Sequence, residues 1–210
     1  MTGSFGPQFT ADLMDLMRWR RDVRRFRTDP VEAAVLDRCL DAFNLAPSVG
    51  LSEPWRLVMV QSDGARARAR TNFEAANAQA LAGYGDDKAQ LYATLKLSGM
   101  REAPVQIAVF CDTGGSKGSG LGAETMPETL AYSVVGAITL FWLALRSEGL
   151  GLGWVSILDP KAMTADLNVP DQWLLVGYLC IGWPEKSDTE PELQKAGWER
   201  RARSLSVEVR

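Results

Sequence analysis

The sequence predicts an α+β fold in which helices flank one central sheet. Two observations predict it. Only four short apolar segments have strand character, whereas helical periodicity and helix-boundary signals cover far more of the 210 residues. The strands also fail to alternate with helices in the βαβ rhythm of a doubly wound sheet. At this length one domain over residues 1–210 is expected, with a substantial core.

Each element has its own signal. Residues 1–9 read as a loose arm, and residues 12 to about 20 as a first helix with Leu13, Leu16 and Met17 on one face. Asp29-Pro30-Val31-Glu32 reads as a helix start: an Asp cap, Pro in the first turn and Glu three residues after the cap. Val31, Val35, Leu36, Cys39, Leu40 and Phe43 follow at helical spacing, and Pro47 stops that helix. Residues 57–60 read as a strand. Residues 64–82, rich in Ala and Arg, read as a helix that Gly83-Tyr84-Gly85 breaks, and a second helix runs from about 86 to 98. Residues 105–111 read as a buried strand. The next stretch, 112–123, holds five glycines and is expected to be a mobile loop. Thr125-x-x-Glu128 has the form of a capping box opening a long helix that ends before Gly149. Its apolar run, 130–145, carries Tyr132, Ser133 and Thr139, falls short of a membrane span and reads as a buried central helix. Residues 154–157 read as a short strand, Asp159-Pro160 as the cap of a short helix, and 173–181 as a buried strand. From Pro184 the tail is polar and arginine-rich.

Composition narrows the chemistry. A net charge of −3 argues against bulk nucleic-acid binding. Cys39, Cys111 and Cys180 form no Cys-x-x-Cys pair and read as reduced core thiols, as expected in a cytoplasm. There is no histidine, which removes the commonest general base, the Ser-His and Cys-His pairs and most zinc sites. The N-terminus lacks a basic start followed by an apolar stretch, so no secretory signal is expected.

Against this background one cluster stands out. Arg20, Arg21, Arg24 and Arg25 lie within six residues, with the single carboxylate of Asp22 among them. A guanidinium is a planar fork of donors that suits phosphate, and several on one spot point to a small anionic ligand. The plainer role is a solvated basic helix face. Gly149-x-Gly151-x-Gly153 is not a dinucleotide fingerprint, because it follows a helix and opens a strand.

The order of motifs adds to this. Arg20-Arg21-Asp22-Val23-Arg24, some twenty residues of helix, then Ala46-Pro47-Ser48-Val49-Gly50 and Pro54-Trp55 leading into a strand resemble the nitroreductase-like flavoproteins. Asp22 stands where that family usually has Ser. With Thr125-Met126-Pro127-Glu128-Thr129 and Gly151-Leu152-Gly153-Trp154-Val155-Ser156-Ile157, it resembles a branch that fragments its flavin in cobalamin biosynthesis. The resemblance spans residues from about 16 to about 198. It implies a central, mostly antiparallel sheet and a homodimer with flavin at the subunit interface. It further implies oxygen-dependent fragmentation of reduced FMN to 5,6-dimethylbenzimidazole, with FMN and O2 as substrates. A separate NAD(P)H-flavin reductase would supply reduced FMN; no metal, nucleic acid or membrane is involved.

By the same resemblance Asp22 and Ser156 are catalytic. Arg20, Arg21, Asp22, Val23, Arg24, Ser48, Leu97, Ser98, Gly153 and Arg201 hold the flavin, and residues 64–100 form a lid over it. Each has a plainer role on local grounds: an Asp22 salt bridge to Arg21 or Arg25, backbone hydrogen bonding by Ser156, turn stabilisation by Ser48. Leu51 and Glu53 replace the family's usual Asn and Gln, which puts classical hydride-transfer contacts in doubt. Two alternatives stay open: an NAD(P)H-dependent nitroreductase or flavin reductase that retains FMN, and a flavin-binding protein without turnover.

Overall fold

A computed structural model describes residues 3–202 and 204–210. Four strands, β1 (Trp55–Met59), β2 (Val105–Asp112), β3 (Gly151–Val155) and β4 (Trp173–Gly182), form one antiparallel sheet in the order β1-β2-β4-β3. Side chains on a strand alternate between faces, and β2 uses both. Ile107, Val109 and Cys111 enter one core with Leu36, Cys39, Val134, Ile138, Phe141 and Leu145. Ala108 and Phe110 enter a second core with Val60, Ala69, Met163 and Tyr178. The first core lies under helices α2 (Ala33–Leu40) and α5 (Thr129–Ser147), the second under α3 (Asp63–Ala82) and α6 (Pro160–Asp166). A strand buried on both faces has no solvent-facing side, so residues 105–111 are apolar but for Gln106, whose buried amide donates to the Met100 carbonyl and accepts from the Tyr178 hydroxyl.

Helix α5 is long and apolar enough to cross a membrane by length and composition, which corrects the expectation that its apolar run falls short of a span. Val134, Ala137, Ile138, Phe141 and Leu145 nevertheless repeat at helical spacing and are fully buried against the sheet, so its role as a core helix holds.

Several boundaries shift, each for a local reason. Helix α1 (Pro7–Trp19) begins five residues before the expected start at residue 12, with Pro7 in its first turn, so the arm is shorter. Asp29 caps nothing: its carboxylate pairs with Arg27 at 2.9 Å, and α2 starts after the extended Glu32. Thr125 does not cap α5 either, because its hydroxyl donates to the Gly122 carbonyl. Helix α4 (Asp86–Thr94) stops before the expected residue 98, and Leu95 leaves it in an extended conformation. β3 starts at Gly151 and ends at Val155, which leaves Ser156 just outside the sheet. Asp159 does cap α6, accepting from the Lys161 and Ala162 amides at 2.9 and 3.1 Å. The glycine-rich stretch, expected to be mobile, is a run of hydrogen-bonded turns. It packs against Gly50: a Cβ on Gly118 would lie 2.6 Å from the Gly50 carbonyl oxygen.

One feature of the fold sets up the site. The chain after α1 lies along β3, where Asp22 bridges Leu152 in parallel fashion and the Val23 amide donates to the Leu152 carbonyl at 2.9 Å. The approach is close enough to require glycine. A Cβ on Gly153 would lie 2.1 Å from the Val23 carbonyl oxygen, and one on Gly151 2.7 Å from the Val23 side chain. The buried Phe26 then pins the segment against the second core. Gly153→Ala should therefore dislodge this segment. Overpacking costs about 1–3 kcal/mol, so thermal unfolding should shift down by roughly 2–12 °C for a chain of this size. An unchanged melting temperature would show that the segment is not held where described.

Candidate functional site

Arg20, the first residue after α1, stacks its guanidinium over Trp142 of α5, 4.6 Å from the ring centroid; its amide donates to the Leu16 carbonyl, but its guanidinium makes no hydrogen bond among the described residues. Burial lowers its pKa, the nearby Arg201 lowers it further, and Asp22 opposes both. Arg21 is committed elsewhere. Its Nε donates to the Thr189 carbonyl at 2.9 Å and its Nη2 to the Arg18 carbonyl, which ties the tail to the end of α1. Its pKa is also lowered, by burial first and then by Arg201 and Arg20. Arg24 donates from Nε to Asp22 Oδ2 at 2.8 Å and from Nη1 to the Lys96 carbonyl at 3.2 Å. Arg25 lies 3.6 Å from Glu192.

Asp22 therefore pairs with Arg24, which corrects the expected bridge to Arg21 or Arg25. In an extended segment residues 22 and 24 share a side, whereas 21 and 25 project from the other. The second carboxylate oxygen, Oδ1, accepts the Trp154 amide at 2.9 Å. Both oxygens are thus anchored, one by a main-chain donor of β3 and one by a guanidinium.

Arg20, Arg21, Asp22, Arg24, Glu192 and Arg201 help line a cleft of about 150 Å³. Four guanidiniums face two carboxylates there, and one of those carboxylates is shared with Arg25. Arg20 has its donors unspent and its charge disfavoured by burial and by a like neighbour. An anion is the partner that such a group lacks. The residues present fit a phosphate group, with Arg20, Arg24 and Arg201 as the side chains able to hold it.

The other expected residues divide. Leu97 and Ser98 follow α4 in the irregular segment 95–98, half-buried, and line a cavity of about 210 Å³ with Phe73, Asn77 and Met100. Arg24 joins that segment to the cluster through the Lys96 carbonyl. Gly153 is at the cluster, but the space its missing side chain opens is filled by the Val23 carbonyl. Val23 itself is the residue packed on the two glycines. Arg201 lines the cleft, with its amide donating to Gln194 Oε1 at 3.1 Å. Ser156 is exposed and its hydroxyl bonds nothing among the described residues, so backbone capture is not its role. It lies two residues beyond the Trp154 amide that holds Asp22.

Ser48 is not brought to the cluster. Its Oγ accepts the Glu53 amide at 3.1 Å and closes the turn, as the plainer reading has it. That turn sits at the start of α5, where the Val49 amide donates to Ser133 Oγ at 3.0 Å. Arg20 sits by Trp142, nine residues along the same helix, or about 14 Å of helical rise. Leu51 and Glu53 in this turn have φ of +54° and +44°, strained for residues with a Cβ, and Glu53 is held by Lys117.

Sequence reasoning missed Trp142, the platform for Arg20. Its signal was there: a large aromatic off the buried stripe of an otherwise core helix. It also missed the Trp154 amide and the carbonyls of Lys96 and Thr189. Those act through the main chain, so the identity of the side chain carries no trace of them.

Comparisons with known proteins agree with this picture. Residues 17–183 match the Nitroreductase family. The 5,6-dimethylbenzimidazole synthase of Rhodospirillum rubrum is 51% identical over 197 residues, covering 94% of this chain and 93% of that protein. The 5,6-dimethylbenzimidazole synthase of Rhodobacter capsulatus is 50% identical over 187 residues, covering 89% and 90%. Among solved structures, oxidized iodotyrosine deiodinase bound to FMN and 3-iodo-L-tyrosine has the same fold. Its TM-score is 0.72 at 22% identity, with 94% of this chain and 97% of that one covered. The family match runs from the end of α1 to just past β4, taking in the whole sheet and the arginine segment laid on it: the chain belongs to the nitroreductase family.

Proposed function

We propose that this protein fragments reduced FMN with dioxygen to give 5,6-dimethylbenzimidazole, the lower ligand of cobalamin. The observation that carries the reading is Asp22, a carboxylate held between the Trp154 amide and Arg24 in an otherwise cationic cleft. Relatives that carry the synthase name across nearly their full length support it.

The residues divide the work. Arg20, Arg24 and Arg201 hold the phosphate, and Arg21 fixes the tail that brings Arg201 to the cleft. Each oxygen of Asp22 accepts one hydrogen bond, and a carboxylate has lone pairs beyond those two. Asp22 can therefore take up a proton without leaving its anchors. Ser156, whose hydroxyl has no partner among the described residues, donates or relays a proton on the same side of β3. Leu97 and Ser98 close the site from the 95–98 segment, with the 64–100 region above them as a lid. Reduced flavin supplies the electrons and the reactivity toward dioxygen when bound. Ser48 belongs to the site of a second copy, because one chain holds it too far from its own arginines. A homodimer also covers the exposed Tyr132 and Val135 of α5. A separate NAD(P)H-dependent flavin reductase supplies reduced FMN.

The direct test is to mix the protein with chemically reduced FMN, admit air, and follow flavin absorbance together with benzimidazole by mass spectrometry. Loss of flavin with product is expected. Reoxidation to intact FMN would overturn the reading, and rapid anaerobic bleaching of bound flavin by NADH would replace it with a flavin-retaining reductase.

Asp22→Asn should lower fragmentation by about 10²–10⁴-fold, the usual worth of a positioned acid–base group. An amide can still accept the Trp154 amide but cannot also accept from Arg24, so FMN affinity should move by less than about tenfold. Wild-type turnover would remove Asp22 from the chemistry.

Arg20→Ala should weaken FMN by about ten- to a hundredfold, the range for one charge-assisted hydrogen bond. Riboflavin, which has no phosphate, should bind unchanged in a flavin-fluorescence titration. Arg21→Ala should instead lower thermal stability, since its donors are spent on carbonyls. Equal losses of FMN and riboflavin in Arg20→Ala would assign that residue to folding.

A further inference from the structure

The tail beyond the family match makes two sets of contacts through one rigid unit. Helix α7 (Glu192–Lys195) ends in a closed cap: the Gly197 amide donates to the Gln194 carbonyl at 3.1 Å and the Trp198 amide to the Leu193 carbonyl at 2.9 Å. Gly197 takes the left-handed conformation this cap needs, at φ +78°. The Arg201 amide donates to the Gln194 side chain, so Trp198 and Arg201 are both fastened to α7.

Trp198 faces α4. Its ring meets Tyr84 edge-on at 5.4 Å and Tyr92 at 6.1 Å, and those two rings lie 5.0 Å apart. Lys88 sits 4.5 Å over the Trp198 ring and donates to its carbonyl at 3.2 Å. Tyr92 in turn donates to Asn77 of α3 at 2.7 Å, so the cluster reaches both lid helices. Arg201 faces the other way, into the cleft with Arg20, Arg21 and Arg24. Like charges oppose that approach: burial lowers the pKa values of Arg20 and Arg21, and Arg201 lowers both further. An anion between them reverses the sign.

We propose that Trp198 is a specificity-determining latch: a phosphate held between Arg20 and Arg201 stabilises the docked tail, and the tail holds α4 and the 95–98 segment closed by Trp198 on Tyr84 and Tyr92. The inference rests on the reading of the cleft as the FMN phosphate site. Its consequence is that closure depends on the phosphate, so riboflavin can occupy the ring site without engaging the latch. A ligand shifts such an equilibrium only by its differential affinity for the two states, and here the phosphate supplies that difference. Trp198 is thus a positioning residue that acts through α4.

The test is hydrogen exchange on the full chain, reading the α4 amides without ligand, with FMN and with riboflavin. FMN should slow α4 exchange and riboflavin should not. Trp198→Ala and Arg201→Ala should each lose the FMN effect, and Trp198→Phe should restore it. Trp198→Ala should also weaken FMN by about two- to tenfold, the worth of an aromatic contact, with riboflavin unchanged. Equal slowing of α4 by riboflavin, or undiminished slowing by FMN in Arg201→Ala, would overturn the latch. If FMN protects residues 20–25 and leaves α4 unaffected, the latch fails and the phosphate site stands. If FMN neither binds nor protects 20–25 in the wild-type protein, the flavin reading fails and the latch falls with it.

Discussion

A strand edge is an array of unspent main-chain donors and acceptors, and β3 is one of the two edges of this sheet. The segment after α1 covers that edge. The Val23 amide takes the Leu152 carbonyl, and the Asp22 carboxylate takes the Trp154 amide. The site depends on this contact in two ways. It turns a charged, otherwise solvated run of residues into one with a fixed orientation, and it lets the two faces of that run do different work. Arg20, Asp22 and Arg24 look into the cleft, while Arg21, which lines it as well, and Arg25 hold the C-terminal segment. Glycine at 151 and 153 is the steric condition for the contact, so a sequence feature that resembles a ligand loop is first a packing requirement.

The electrostatics follow from that geometry. Free guanidiniums in water cost little, but Arg20 is half-buried, which disfavours its charge, and Arg201 nearby disfavours it further. Asp22 offsets only part of this, because Arg24 already claims one of its oxygens. The cleft is thus under-neutralised by the protein itself. That local cost is what the proposed phosphate would offset.

The fold was legible where the signal was collective. β2 alternates its side chains between two cores and β4 continues them, so both read as buried strands. The buried stripe of α5 read as a core helix. Signals that rest on one side chain were less dependable. Asp159 capped its helix because the Lys161 and Ala162 amides were the donors in reach. Asp29 and Thr125 had the same pattern and failed, because Arg27 and the Gly122 carbonyl offered nearer partners. The arginine cluster was legible because it is contiguous in sequence. Its pairing was not, since the extended segment decides which residues share a side. The distance from Ser48 to Arg20 is set by the length of α5, which no motif encodes.

The anchoring of Asp22 by a main-chain amide bears on how the family diversifies. A main-chain donor is lost only by substitution to proline, and its direction is set by the sheet rather than by the residue that carries it. A serine at position 22, the residue the wider family usually carries there, could accept the same amide of Trp154. Exchanging serine for aspartate therefore changes the chemistry presented to a ligand while keeping the anchor. A change at this one position places an ionisable group where an anchor already exists, and the fold around it needs no revision. Position 96 also serves through its carbonyl but is tied to Glu102 by its side chain, and positions 151 and 153 have no room for a Cβ beside Val23, so position 22 is the place where this site can change.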